Sequence, residues 1–580
     1  MAKKSEQAVI PKWRYYLVML FLASLPLVLL VKIAQLQILP SHERGVDFLQ
    51  NQGDNRSIRK AIIPAYRGVI TDRNGEPLAV STPVTAIVVN PQQIQNKDIA
   101  KLAEVMNLSE AQLKSRLNRY HKKSFMYLAR QLPKAQADRI LELNILGISA
   151  RREYKRFYPA GEVTAQLVGF TDINDSGQEG MELAYDTWLT GEPGAKKVVQ
   201  DRAGRIINDI SLIKAARSGE DLRLSIDLRV QYAAYRALKK AVNMHNAKSG
   251  SVVVLDVQTG EVLAMVNQPS FNPNDRSKLR QDSIRNRAIT DLMEPGSTVK
   301  PFTMLAALES GIFSPESLIN TSPGYLKVDY KTFVDPRDYG ELSLAGVLAK
   351  SSQVGTTKIA LELDPDFTRD LFQRVGFGEV IGSGFPGETL GTLPAYRKWD
   401  QVTQATFAFG YGLSVSSLQL ARAYAVLAND GVRRDVSLVA LDSEPESLRV
   451  IDAETSQKVR HMLRAASGVS GTGKRAMIDG YSVGGKTGTL HKVKAGGGYD
   501  DNRYMSFFAG LSPAENPRLV TVVVIDEPSN GIYFGGLVAA PVFSEVTGSA
   551  LRLLQVTPDQ IDTNRSVAGI PKLNKKRGES

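Results

Sequence analysis

The chain has 580 residues, a formal net charge of +12, and 43% hydrophobic and 23% charged residues, so it exceeds one ordinary core and is not a disordered polymer; two folded units and a short appendage are expected. It has no cysteine, which excludes disulfides and thiol catalysis, and its five histidines (His42, His121, His245, His461, His491) lack metal-ligand spacing, so neither a metal, another cofactor nor a histidine-based triad is expected. The basic residues are scattered, without a zinc cluster or an aromatic–basic motif for reading RNA, which argues against nucleic acid as a partner.

Tyr15 to Val31 is an uncharged, mostly apolar run, and apolar residues continue past Lys32 to Leu39. At 1.5 Å per residue the run covers about 25 Å, and a snorkelling Lys32 extends it toward the bilayer core of about 30 Å. Pro26 is tolerable in a membrane helix. Lys3, Lys4, Lys12 and Arg14 precede the run, so the positive-inside rule keeps residues 1–14 in the cytoplasm and exports the rest, with 15–38 as the anchor. A cleaved signal peptide is the competing reading, but no small-x-small site follows.

Residues 45–216 mix short strands, turns and helices, and read as a pedestal domain without a full set of catalytic groups. Asp72 to Leu78 reads as a tight turn at Asn74-Gly75, and Asp98 to Asn118 reads as helical. Residues 222–556 form a second unit. Asp227 caps a helix running to Met244; Ser251–Leu255 and Val262–Val266 form a hairpin around Gln258-Thr259-Gly260. Met505–Gly510 and Leu519–Ile525 are strands, and Pro541 to Leu554 is a helix. Strands at both ends with helices between predict an α+β fold: one antiparallel sheet closed by the two chain ends and packed with helices. Residues 557–580, polar and basic, read as a disordered tail.

Three segments carry chemistry. Pro295-Gly296-Ser297-Thr298-Val299-Lys300-Pro301 opens a helix through Ser310, with Gly311 as its C-cap. Positions three apart share a helical face, so Lys300 reaches toward the Ser297 hydroxyl, and the helix start offers N–H groups to an oxyanion. Lysine acts as a base only when neutral; burial and a second cation both favour that, and Lys486 in Gly485-Lys486-Thr487-Gly488-Thr489 is the candidate. Gly488 is expected to let a substrate approach the backbone. Ser-x-x-Lys alone is weak, and Ser211 to Lys214 repeats it. The case rests on Ser297/Lys300, Ser351-Ser352-Gln353 and Lys486-Thr487-Gly488 in that order.

With these elements the sequence resembles the penicillin-recognising serine transferases, specifically a class B penicillin-binding protein of the division type, the penicillin-binding protein 3 or septal family. Arg67 to Gly75, Arg156 to Gly161, Gly177 to Glu182, Phe409 to Gly412 and Tyr533 to Gly536 add to the likeness. The resemblance implies a transpeptidase fold, with a central antiparallel sheet, helices on both sides and an all-helical region, behind an elongated α+β pedestal and one membrane helix. It implies that Ser297 attacks the penultimate D-alanine of a peptidoglycan stem peptide, that Lys300 takes its proton, and that Ser351 links Lys300 and Lys486 in a relay. It further implies an oxyanion hole from the Ser297 and Thr489 amides, and a substrate or β-lactam carboxylate held by Thr487 and Thr489. Tyr504, Tyr533 and Phe534 become candidate pocket walls, although by pattern alone such aromatics belong in a core.

Implied partners are stem peptides, β-lactams, the inner membrane, and a membrane glycosyltransferase with other division proteins. Gln353 stands where the family has Asn; one methylene longer, it is expected to keep its amide in the site and alter substrate or β-lactam preference. The alternatives are a non-catalytic or conditionally active scaffold of the division complex and, from the same superfamily, a serine β-lactamase.

Overall fold

The computed structural model describes residues 11–37, 58–200, 206–395, 398–494 and 497–560. The sequence first builds α1, Lys12–Gln37, with Pro26 inside it and almost every side chain exposed. Its 26 residues span about 39 Å, enough to cross the hydrocarbon core of a bilayer. It is the one helix among the described residues that is both long and apolar enough to do so.

The chain divides into two units that do not follow linear order. One comprises Met1–Tyr66, Pro83–Tyr154 and Gly191–Ser218; the other comprises Arg67–Thr82, Lys155–Thr190 and Gly219–Ser580. One division between the units, at Ser218/Gly219, lies between 216 and 222, and others lie within residues 45–216. Segments within the expected pedestal fold with the larger unit, because Ile70–Thr71 pairs in parallel with Leu222–Arg223 and Arg67 is buried against Glu182.

In the smaller unit Ile58–Ile63, Gly194–Gln200 and Ile206–Lys214 make a three-stranded antiparallel sheet. A separate core gathers Ile87, Val89, Leu102, Leu113, Leu128 and Ile140. The helix expected over 98–118 is two helices, Asn96–Val105 and Glu110–Arg119. Asn107 adopts φ 53°, and Ser109 starts the second helix with a capping box to Gln112. A left-handed residue followed by a strong N-cap stops one helix and begins another.

The larger unit uses Glu182 as a buried hub. Its carboxylate accepts from Arg67 Nε at 2.8 Å and Arg156 Nε at 2.6 Å, and Arg67 also donates to Asp186 at 2.7 Å. Glu182 is fully buried. Removing it would leave two guanidinium groups without their shared counter-charge. Glu182→Ala is expected to cost about 3–5 kcal/mol of stability; an equilibrium denaturation curve with a loss under about 1 kcal/mol would contradict this.

Asp227 caps α2, Leu228–Met244, through the Arg229 amide. The sheet follows from β1, Ser249–Asp256, and β2, Val262–Gln268, which form the expected hairpin. Helices come next: α3 at Lys300–Glu309, α4 at Leu344–Lys350, α5 at Gln353–Glu362, α6 at Ser417–Ala428 and α7 at Ala453–Ser467. Three more strands, β3 at Gly484–Val493, β4 at Tyr499–Ser512 and β5 at Leu519–Asp526, precede α8, Ala540–Leu553.

The sheet order is β2-β1-β5-β4-β3, antiparallel throughout, so strands from both chain ends lie side by side at β1 and β5. Alternating side chains feed two cores. Val252, Val254, Val523 and Phe508 pack with α2 and α8 on one face, whereas Val253, Leu255, Val522 and Phe507 face the core that contains α3 and α6. The expected α+β transpeptidase architecture is the one found. The tail expected over 557–580 starts within the described residues. Asp559 accepts from the Ser482 amide at 2.7 Å and the Gln560 amide donates to Gly480, while residues 561–580 lie outside those described.

Candidate active site

Ser297 lies in a 3-10 turn, Gly296–Val299, that runs directly into α3. Gly296 takes φ +55° and its amide donates to Gly410 O at 3.3 Å. A Cβ on Gly410 would stand 2.4 Å from Gly296 O, so only glycine allows the two backbones to touch. Behind the turn Tyr424 Oη donates to Thr298 O at 2.7 Å. Phe302 meets Phe372, Phe377 and Tyr424 edge to face. The half-buried serine is therefore presented at the start of a helix that packing holds still.

The second corner is the break between α4 and α5. Ser351 adopts left-handed φ 55°, uncommon for a residue with a side chain, and Ser352 caps α5. The fully buried Lys300 braces this corner: Nζ donates to Ser351 O at 2.8 Å and Ser352 O at 3.2 Å, and lies 3.3 Å from Ser351 Oγ. Ser351 Oγ is in turn 3.4 Å from Ser297 Oγ. Hydrogen bonding thus joins Lys300 to Ser297 through Ser351.

The third corner is β3, pressed against the serine's turn. The Leu490 side chain fills the space a Gly296 Cβ would need, at 2.8 Å. A Cβ on Gly488 would meet Thr298 Cγ2 at 3.1 Å and the Phe507 ring at 3.2 Å. Gly488 therefore allows strand and turn to close on each other. The neighbours of Lys486 differ from the expected relay: Nζ donates to Thr487 O at 3.0 Å, and among the described residues it makes no bond to Ser351.

Both amines are fully buried, and burial is the first cause that lowers each of them. Lys300 is brought down to about 7 against an opposing pull from Asp335. Lys486 falls well below its ordinary value, with the charge on Lys300 as its second cause. Desolvation is thus the first cause at both amines, and repulsion between them adds to it. Two buried amines that repel each other share a proton with difficulty.

A family profile described as Penicillin binding protein transpeptidase domain covers residues 250–548, and one described as Penicillin-binding Protein dimerisation domain covers 62–224. The chain belongs to the penicillin-binding protein transpeptidases. It is 42% identical to the peptidoglycan D,D-transpeptidase FtsI of Escherichia coli over 97% of this chain and 95% of that protein. It is 42% identical to the probable peptidoglycan D,D-transpeptidase PbpC of Pseudomonas aeruginosa, over 90% of this chain and 93% of the relative. Among solved structures, penicillin-binding protein 3 of Mycobacterium tuberculosis, complexed with aztreonam, matches with TM-score 0.67 and 28% identity, over 86% of this chain and 98% of that one. Both domains in one chain, with this identity to FtsI, place it in the division type of class B.

In this penicillin-binding protein Tyr504, Tyr533 and Phe534 are not core. Tyr504 and Tyr533 stack at 3.8 Å and 9°, Phe534 follows at 4.6 Å, and Phe534 is 55% exposed. His491 extends the row against Tyr504 at 4.5 Å, a neighbour the sequence reading did not single out. Its place two residues after Thr489 on one strand was the available signal. Thr489 Oγ1 accepts from the Gly535 amide at 2.9 Å, and Thr487 Oγ1 donates to Thr472 Oγ1 at 3.0 Å. Gln353 begins α5 with an exposed side chain that makes no hydrogen bond among the described residues. Its backbone N–H instead donates to Asp335 Oδ1 at 2.6 Å. Asp335 went unnoticed in the sequence, where an Asp before Pro336 looks like any turn residue.

Proposed function

We propose that Ser297 is the nucleophile of a peptidoglycan D,D-transpeptidase reaction that cross-links stem peptides, and that β-lactams acylate the same serine. The observation that carries this reading is the Lys300–Ser351–Ser297 array around a buried amine whose proton affinity sits near neutrality. A neutral Lys300 has two N–H groups, which the Ser351 and Ser352 carbonyls accept, and one lone pair left for a proton.

Ser297 Oγ attacks the carbonyl of the penultimate D-alanine while its proton passes to Lys300, by way of Ser351 Oγ. The Ser297 and Thr489 amides hold the oxyanion. The peptide bond breaks, D-alanine leaves with a proton, and the acyl group stays on Ser297. The amine of a second stem peptide then attacks this ester, forms the cross-link and restores the hydroxyl. Lys486, Thr487 and Thr489 bind the substrate carboxylate, and the Tyr504–Tyr533–Phe534 row walls the pocket. Gln353 reaches the substrate only by turning its exposed side chain inward.

The helix α1 anchors the protein in the inner membrane, with residues 1–14 cytoplasmic, the bulk in the periplasm and the work done at the division septum. Its polymerising partner is a membrane glycosyltransferase of the division machinery.

The test is a stem pentapeptide donor with and without an amine acceptor, run beside nitrocefin. D-Alanine release with a cross-linked product, and one stoichiometric nitrocefin burst, are expected. Continuous nitrocefin turnover would identify a β-lactamase instead, and a folded protein that never labels would identify a scaffold.

A further inference from the structure

Asp335 lies just after the Tyr325–Val328/Lys331–Val334 hairpin and is 4% exposed. Its backbone N–H donates to Gly324 O at 2.9 Å, which fixes where the side chain starts. Three donors converge on the carboxylate. Oδ2 accepts from Ser352 Oγ, and Oδ1 accepts from the Gln353 amide at 2.6 Å and the Val354 amide at 3.3 Å. These amides belong to the first turn of α5, where backbone N–H groups lack helical partners and the helix dipole favours an anion. Ser352 is gripped from both sides: its Oγ also accepts from Gly355 N at 2.8 Å, while its carbonyl accepts from Lys300 Nζ at 3.2 Å.

We propose that Asp335 is a positioning residue for the reaction, clamping the Ser351-Ser352-Gln353 corner from behind so that Ser351 Oγ and the two carbonyls meet Lys300. The inference rests on the reading of Ser297 and Lys300 given above.

Two physical consequences follow. The clamp holds Ser351 in its left-handed conformation, a strained state that persists only where its surroundings over-determine it. A small relaxation of this corner moves the Ser351 hydroxyl away from Ser297, and misplacement by about 1 Å costs about 10²-fold in rate. The carboxylate is also a buried negative charge that acts on Lys300. It raises the proton affinity of Lys300 against burial, while Lys486, the other charge facing that amine, is itself lowered by Lys300. Asp335 therefore sets which pH the base works at, as well as where it points.

The test is penicillin acylation followed against pH for the full-length protein and for Asp335→Asn. The Asn side chain keeps the size and can accept one hydrogen bond, but it brings an N–H₂ group toward backbone donors and removes the charge. Acylation at neutral pH should slow by about 10²-fold, and the acid limb of the profile should move to lower pH. Ser352→Ala, which removes the bond to Asp335 and the one from the Gly355 amide but no charge, should slow acylation with the limb in place. Parent-like acylation by Asp335→Asn overturns the proposal. So does slowed acylation with an unmoved limb, which would make Asp335 merely structural. If Asp335→Asn does not fold, Asp335→Glu decides: charge retained but displaced must slow acylation without moving the limb, and parent-like rates overturn the clamp. Failure of the parent protein itself to acylate would count against the function and not against Asp335.

Discussion

Ser297→Ala is expected to abolish covalent labelling by benzylpenicillin. Intact-mass spectra of the parent should show one adduct per chain after minutes of incubation, and the variant none after hours. The serine is half-buried at the entry of α3, and its Oγ sits 3.4 Å from Ser351 Oγ. Neither neighbouring serine offers the same setting. Ser351 is held in left-handed backbone against Lys300, and Ser352 is fully buried with its hydroxyl on Asp335. The substitution removes one oxygen from a turn fixed by Gly296, Tyr424 and Phe302, so the fold should survive and the near-ultraviolet spectrum should be unchanged. An adduct of parent stoichiometry on the alanine variant would refute the assignment.

The second large effect is expected at Lys300. Replacing it by methionine should slow acylation by about 10²–10⁴-fold, the range for loss of a positioned general base. In the parent, acylation should rise with pH and level off above about 7, because burial lowers the amine to about 7 and only its neutral form accepts the proton. Stability follows the same proton. The unfolded amine binds it up to about 10.4, whereas the folded one releases it near 7. Between these values the unfolded chain holds more protons, so stability rises with pH through that window. Methionine carries no such penalty and should leave the thermal midpoint unchanged or higher at neutral pH. Stopped-flow acylation of the parent that keeps its rate well below pH 6 would remove Lys300 as the base.

Much of this was legible in the sequence because it is local. The long helix α1 is a run of one kind of residue. The strands of the larger unit alternate, or stay apolar, over seven or eight positions. A spacing of three puts Ser297 and Lys300 on one helical face whatever surrounds them. The break at Asn107–Ser109 was missed because helical periodicity survives across it, while the local preference of Ser109 for capping decides the boundary.

The amino-acid sequence by itself determined the order of the motifs, the long apolar helix α1 and the α+β class. These depend on side-chain period, residue type and contacts within a few positions. Only the tertiary structure decided that segments on either side of residue 150 fold with the larger unit and that Gly488 makes room for Thr298 and Phe507. It likewise decided that Asp335 reaches Ser352 and that desolvation sets the proton affinity of Lys300. The reason is that burial and close approach are properties of what packs around a group. Those neighbours come from positions far apart in the chain, where no local spacing records them.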